Sequence, residues 1–436
     1  MVKNSGGNSR KVAGQQLYDL IVELYPICRS ITGNGVRETL EIIGRQIPLE
    51  RVEVPTGTRI FDWEVPREWN VRDAYIKNEA GEKIIDFKKL NLHLLNYSVP
   101  VHQKITLDEL KKYLYTIPEK PDLVPYRTSY YQERWGFCMS QNQFDALEDG
   151  EYEVYVDSTL ENGHLTYGEC FIRGETEEEV LISTHVCHPS LCNDNLSGIA
   201  VATFLAREIA AKKTWYSYRF LFIPGTIGSI AWLSRNESHL KHIKHGLVIT
   251  LLGDDSGFTY KRSRQGNASI DRIVEHCMSQ FFGERSRTID FIPYGYDERQ
   301  YCSPGINLPV GCLTRNPYGE FPEYHTSADN LRFVKPERLE ESLNVLLKIL
   351  DMVEKNQRYL NLNPKCEPQL GKRGLYDKLG GASDSKTMQL AILWVLNLSD
   401  GNHDLLEITE RSGIGFQIIT NAAERLRESG LLKIVE

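Results

Sequence analysis

The 436-residue sequence is poor in several things that would place it in a specialised class. It has no apolar stretch near the ~18 consecutive residues of a membrane-spanning helix, which excludes such a span. Its first fourteen residues, MVKNSGGNSRKVAG, contain no apolar run, so 1–14 reads as a disordered tail rather than a secretory leader. The nine cysteines are odd in number and scattered, with no Cys-x-x-Cys pair. That excludes a disulfide framework and predicts reduced thiols in a cytoplasmic protein. Positive charge is also in deficit: 51 Lys and Arg stand against 59 Asp and Glu, a net charge of −8. A protein that coats duplex nucleic acid is thereby disfavoured, although a basic module fits inside an acidic total. No internal repeat is evident.

What is present is ordinary for a globular protein: 41% hydrophobic and 25% charged residues, enough for a core that folds without metal or disulfide. Leu17, Leu20, Ile21, Leu24 and Tyr25 recur at helical spacing, as do Leu40, Ile43 and Ile47 after a Thr32-Gly33-Asn34-Gly35 turn. From about 51 to 157 short extended pieces follow, punctuated by Pro and Gly and dense in aromatics through Tyr126–Phe137. From Gly168 onward, strands (Val180–Thr184, Tyr218–Ile223, Leu247–Leu252) alternate with helices (Ser197–Ile209, Ser229–Leu233, Ile270–Phe282, Lys335–Val353). Apolar strands alternating with helices predict an α/β sheet covered on both faces. The reading is therefore one α/β domain from 15–50 and 158–355, with a β-rich module inserted at 51–157. A polar linker at 354–383 leads to a winged-helix unit over 365–436: a helix Thr387–Leu396, helices Leu405–Ser412 and Gly415–Ser429 joined at Gly413, and a last strand from Gly430.

Two segments carry chemistry. In the first, VLISTHVCHPSLCNDNLSGIA (180–200), a strand delivers His185 to its C-terminal end, and the following loop carries His188 and Asp194 to a helix start. Two imidazoles and a carboxylate within ten residues form a credible nitrogen/oxygen zinc set. The competing reading makes Asp194 or Asn195 a helix cap. A structural zinc on His185, Cys187, His188 and Cys192 is a further option, but four ligands crowded into eight residues without a second cluster fit it poorly. Cys187 as a catalytic thiol lacks a His/Asn partner pattern. In the second segment, EFPEYHTSAD (320–329), His325 completes the metal set, and Glu323 two residues before it can serve as general base. Glu320 and Asp329 read singly as surface-loop residues.

These motifs resemble the co-catalytic zinc aminopeptidases, in which an apolar strand ends in a metal His, an Asp-Asn-x-Ser-Gly run gives a bridging carboxylate, and a Tyr-His-Thr run gives a late His. His185, Asp194-Asn-Leu-Ser-Gly and Tyr324-His325-Thr occupy those places. The chain departs where that family carries its base and ligand Glu pair, which here is Gly225-Thr226. Cys187 replaces the Asp two residues after the first His, and the third-strand Asp falls near Thr250, with Asp254 four residues on. The resemblance therefore implies a single Zn2+ rather than a pair. Over residues 25 to 435 the chain more closely resembles a prokaryotic family of aminopeptidase-like proteins from polysaccharide-biosynthesis loci, whose function is uncharacterised. The matching runs include Tyr25-Pro-Ile-Cys-Arg29-Ser-Ile-Thr-Gly33, Phe61-Asp-Trp-Glu-Val-Pro, Trp135-Gly-Phe-Cys138 and Tyr296-Asp297-Glu298-Arg299-Gln300. The implied fold is a zinc-aminopeptidase-like mixed sheet flanked by helices, with an inserted β-rich module and a C-terminal winged helix.

The expected activity is hydrolysis of an amide bond in a peptide or amino-acid-modified small molecule. The alternative is a catalytically degenerate metal-binding or ligand-sensing protein whose winged helix contacts protein or DNA. Asp297, Glu298, Arg299, Tyr324 and Asp254 are candidate substrate-binding residues, with an internal ion pair as the competing account for 297–299. Arg29 and Ser30 either reach the cleft or cap a helix end. Lys261-Arg-Ser-Arg264 either holds an anionic group or is a solvated charge run. The helix Gly415–Ser429 carries two basic residues against two acidic ones, which argues against DNA and for protein contacts; a homo-oligomer through this unit or the inserted module is an expectation.

Overall fold

A computed structural model describes residues 6–375 and 383–435. The chain forms two compact units, Met1–Leu347 and Lys348–Glu436. In the first, eight strands make one mixed sheet in the order Glu50–Pro55, His164–Ile172, Ser217–Ile223, Glu179–His185, Ile243–Ile249, Val310–Thr314, Phe258–Lys261 and Ser286–Ile289. The four central strands from Ser217–Ile223 to Val310–Thr314 are parallel. Every residue of Glu179–His185 and Ser217–Ile223 is buried, as strands covered on both faces require. Helices Gly198–Ala210, Ile227–Arg235 and Ser269–Phe282 follow the strands as the alternation predicts.

Three boundaries differ from the sequence reading. The first helix runs Gly6–Leu24, so the expected disordered tail is helical from Gly6, while residues 1–5 lie outside the described residues. Val54 is buried and Glu50–Pro55 pairs antiparallel with His164–Ile172, so this strand, read as the start of the insertion, belongs to the main sheet. The insertion's own sheet is four-stranded, ordered Lys83–Asp86, Glu68–Lys77, Glu151–Glu161 and Val101–Thr106. Its apolar face is continuous with the main core: Trp69, Val154 and Val156 share one cluster with Cys187, Ile223 and Ile227.

The third difference is in the second unit. Part of the expected linker forms strand Arg358–Asn361, the centre of a three-stranded sheet with Asp400–Asp404 and Leu432–Ile434. A polar stretch concealed it because only Tyr359 and Asn361 of its four residues are buried. Helices Ser383–Leu398, Leu405–Ser412 and Phe416–Glu428 complete the winged-helix domain. Asp404 and Glu407 cap the middle helix reciprocally, and Gly413, at φ 67°, makes the turn that a side chain would strain.

Candidate metal centre

His185 ends its parallel strand, at the carboxyl edge where open α/β sheets build their sites. His185 Nε2 lies 2.9 Å from Asp194 Oδ1 and 3.0 Å from His188 Nδ1, and His188 Nδ1 is 3.4 Å from Asp194 Oδ1. His325 Nε2 approaches the other oxygen, Asp194 Oδ2, at 2.9 Å. Neither of those two buried atoms has a hydrogen-bond partner. One atom each of His185, His188 and Asp194 lies within 4.8 Å of the others, close enough to share one ion, and His325 approaches the same carboxylate from its other oxygen. The donor set, three imidazoles and a carboxylate, suits zinc. Asp194 is wholly buried; burial pushes its carboxyl up, but His188, His185 and His325 together hold it well below the usual carboxylate range. Burial pushes the His325 imidazole below its ordinary value, against the pull of Asp194.

The loop that carries Asp194 is pinned by buried polar side chains. Asp329 Oδ1 and Oδ2 accept from the backbone N–H groups of Asn193 (2.6 Å) and Asp194 (2.9 Å), so this residue is an anchor rather than the surface-loop residue expected. Burial raises its carboxyl to about 8 against those bonds. Asn195 Nδ2 donates to Thr184 Oγ1 (2.7 Å) and to the His185 carbonyl (3.0 Å). Arg29, fully buried, donates from Nε to the His188 carbonyl (2.8 Å), from Nη2 to Pro189 O (3.3 Å) and from Nη1 to Leu24 O (2.8 Å). It does more than cap a helix: it ties the helix Gly6–Leu24 to the metal loop. Burial lowers this guanidinium to about 10.

The insertion supplies a wall that sequence reasoning missed. Tyr126 presents its ring edge to both His188 (5.2 Å) and His325 (5.1 Å), and its N–H donates to the His325 carbonyl at 2.8 Å. Val124 and Ser327 exchange further hydrogen bonds, and Pro125 pairs with Thr326. This clamp holds His325 at φ 53°, a strained value for a side chain. Tyr130 and Tyr126 hydroxyls meet at 3.0 Å. The aromatic density of Tyr126–Phe137 was the available signal, but only the fold aims it.

Of the candidate substrate residues, Tyr324 stacks on His325 (4.0 Å) and stands at the site. Asp254 does not: its oxygens accept from Asn193 Nδ2 (2.9 Å) and Ser256 N (2.7 Å), so it braces the loop from behind. Asp297 accepts from Thr226 N (2.6 Å) and Ser229 Oγ (2.9 Å), and burial raises it to about 6. Glu298 is buried in an ion pair with Lys261, which corrects the solvated-charge-run reading of Lys261; the pair is internal. Arg299 reaches Thr226 Oγ1 at 3.4 Å. Glu323 accepts through its carbonyl from the Thr326 N–H and hydroxyl. Among the described residues the tight ligand group is His185, His188 and Asp194, without the Glu323 carboxylate; His325 adjoins it through Asp194. No cysteine joins that cluster either. Burial pushes the Cys187 thiol up to about 12, the opposite of an activated nucleophile. A Cβ at Gly225 would lie 3.6 Å from His185 Cβ, so the position where the aminopeptidases carry Glu does face the site but brings no carboxylate to it.

No helix of the described residues is long and apolar enough to cross a membrane. The crystal structure of a provisionally named peptidase from Clostridium acetobutylicum superposes with a TM-score of 0.91 at 55% identity, covering 98% of each chain. A zinc aminopeptidase from Bacillus subtilis shares the fold at 13% identity and a TM-score of 0.56, over 78% of this chain and 95% of that one. A Clostridium acetobutylicum relative, 57% identical over 98% of both chains, carries the provisional name polysaccharide biosynthesis protein with aminopeptidase-like domain. Residues 357–434 match a winged helix-turn-helix family. Residues 18–356 match the family described as a domain of unknown function (DUF4910), and the chain belongs to that family.

Proposed function

We propose that the chain is a zinc-dependent hydrolase of an amide bond, with one ion held by His185, His188, Asp194 and His325. The observation that carries this is the convergence of His185, His188 and Asp194, whose ligand atoms lie within 4.8 Å of one another, with His325 Nε2 2.9 Å from Asp194 Oδ2. The aminopeptidase-like fold and the names of the relatives favour peptidase-like hydrolysis. When bound, zinc would supply Lewis acidity to the amide carbonyl and to a water. Asp329, Arg29 and the Tyr126 clamp keep the four ligands in place, Tyr324 orients the substrate beside His325, and Glu323 takes the proton and passes it to the leaving amine. The relative's name further favours a substrate whose amide is attached to a saccharide.

The test is metal analysis with a substrate screen. Purified protein should hold about one zinc per chain, the stoichiometry of a single four-ligand site. His325→Ala should lose zinc, and Glu323→Gln should keep zinc but lose cleavage of aminoacyl chromogenic amides. Protein without stoichiometric zinc sinks the reading. Gly225 in place of a base supports a second one, a metal-binding protein without turnover; it is favoured if zinc is bound and no amide in the screen is cleaved.

A further inference from the structure

Most large apolar side chains are buried, yet three aromatics of the insertion stand out on one rim: Phe61 is 40% exposed, Trp63 44% and Tyr131 53%. Trp63 and Tyr131 pack with ring centroids 5.5 Å apart at 56°. Phe61 and Tyr131 both hold positive φ, 55° and 65°, a conformation that costs a bulky residue and persists only where its surroundings impose it. Arg59 Nε donates to the Phe61 carbonyl at 3.1 Å, fixing the hairpin tip, and Arg67 pairs with Glu133 beside Tyr131. The backbone is thus held in a strained form that leaves aromatic faces in water.

Two indirect links join the rim to the residues around His185. Tyr131 follows Tyr130, whose hydroxyl meets that of Tyr126 against His188 and His325. The hairpin strand Arg59–Ile60 packs on the helix Ile227–Arg235, which starts just after Gly225. The same segments carry the exposed side chains of Arg59, Asp62, Glu64, Gln132, Glu133 and Arg134. Aromatic faces with carboxylates, an amide and guanidinium groups nearby match a sugar, whose C–H face stacks on the rings while its hydroxyls meet the polar edge.

We propose that Phe61, Trp63 and Tyr131 form a carbohydrate platform that stacks a neutral or N-acylated amino sugar, presenting its amide to the metal site. This rests on the amide-hydrolase reading for its purpose, but its binding step is independent of the metal. The probe is tri-N-acetylchitotriose, titrated calorimetrically into the full-length protein. Saturable binding is expected, weakened about tenfold by Trp63→Ala and by Tyr131→Ala, and retained by Trp63→Phe, as loss and keeping of a stacking face predict. Full-length protein treated with a chelator should bind the trisaccharide like the untreated protein, which separates failure of the platform from failure of the hydrolase reading. Absence of saturable binding, or equal affinity in Trp63→Ala, overturns the proposal. So does trialanine binding that is lost in Trp63→Ala while the saccharide does not bind, because the rim is then a peptide surface.

Discussion

At the scale of single residues, the site depends on groups that touch no ligand. Arg29 reaches the carbonyls of Leu24, His188 and Pro189 from three different nitrogens, a fork that a lysine ammonium cannot copy. Arg29→Lys should therefore retain the fold by circular dichroism yet weaken zinc about tenfold or more in chelator competition, the usual cost of losing a support behind a ligand. Asp297 gives a pH prediction. Its folded pKa, about 6, exceeds the ~3.9 of an unfolded Asp, so the folded state binds the proton more tightly. The resulting stability is complete below the unfolded pKa and is lost as pH rises through about 6. Asp297→Asn, which keeps an acceptor for Thr226 N and Ser229, should flatten that part of the stability–pH curve in urea titrations. The four proposed metal ligands were all legible in the sequence, because each sits in a short motif. The supporting roles of Asp329, Arg29 and Asp254 were not, because their partners in the metal loop lie far along the chain and leave no local spacing signal.

At the scale of elements, the insertion walls the candidate metal site. Segment Val124–Tyr126 pairs with the His325 loop and places the buried Tyr126 against two of the imidazoles. Tyr126→Ala should destabilise the protein by about 3–5 kcal/mol, as removal of a buried aromatic does. It should also lower zinc affinity, whereas Tyr155→Ala, on the inner strand Glu151–Glu161 of the insertion's sheet, should leave zinc binding unchanged; thermal unfolding and zinc titration read the two effects separately. The periodicities that marked the parallel strands and the helices after them were strong because both faces of the sheet are buried. The sheet membership of Glu50–Pro55 and the strand Arg358–Asn361 escaped because each is short and half exposed, with partners 40 or more residues away.

At the scale of the molecule, the first unit has a large apolar core, so the metal is not needed to fold it. Stripping zinc with a chelator should leave cooperative unfolding in calorimetry and lower Tm only by the linkage of lost binding. In the winged-helix domain, the exposed ends of Phe416–Glu428 carry Arg425 and Arg427 beside Glu424 and Glu428. Without a basic face there is little phosphate neutralisation, so submicromolar protein should not shift duplex DNA at physiological salt.

The sequence by itself determined the fold class, the strand-end position of His185 and the identity of the proposed metal ligands, since these follow from local periodicity and closely spaced motifs. Only the tertiary structure decided that the insertion walls the site, that Asp297 and Glu298 face inward, and that the aromatic rim of Phe61, Trp63 and Tyr131 stands open. The reason is physical: side-chain types and short spacings are written along the chain, whereas burial and partnership arise when segments a hundred or more residues apart are brought together.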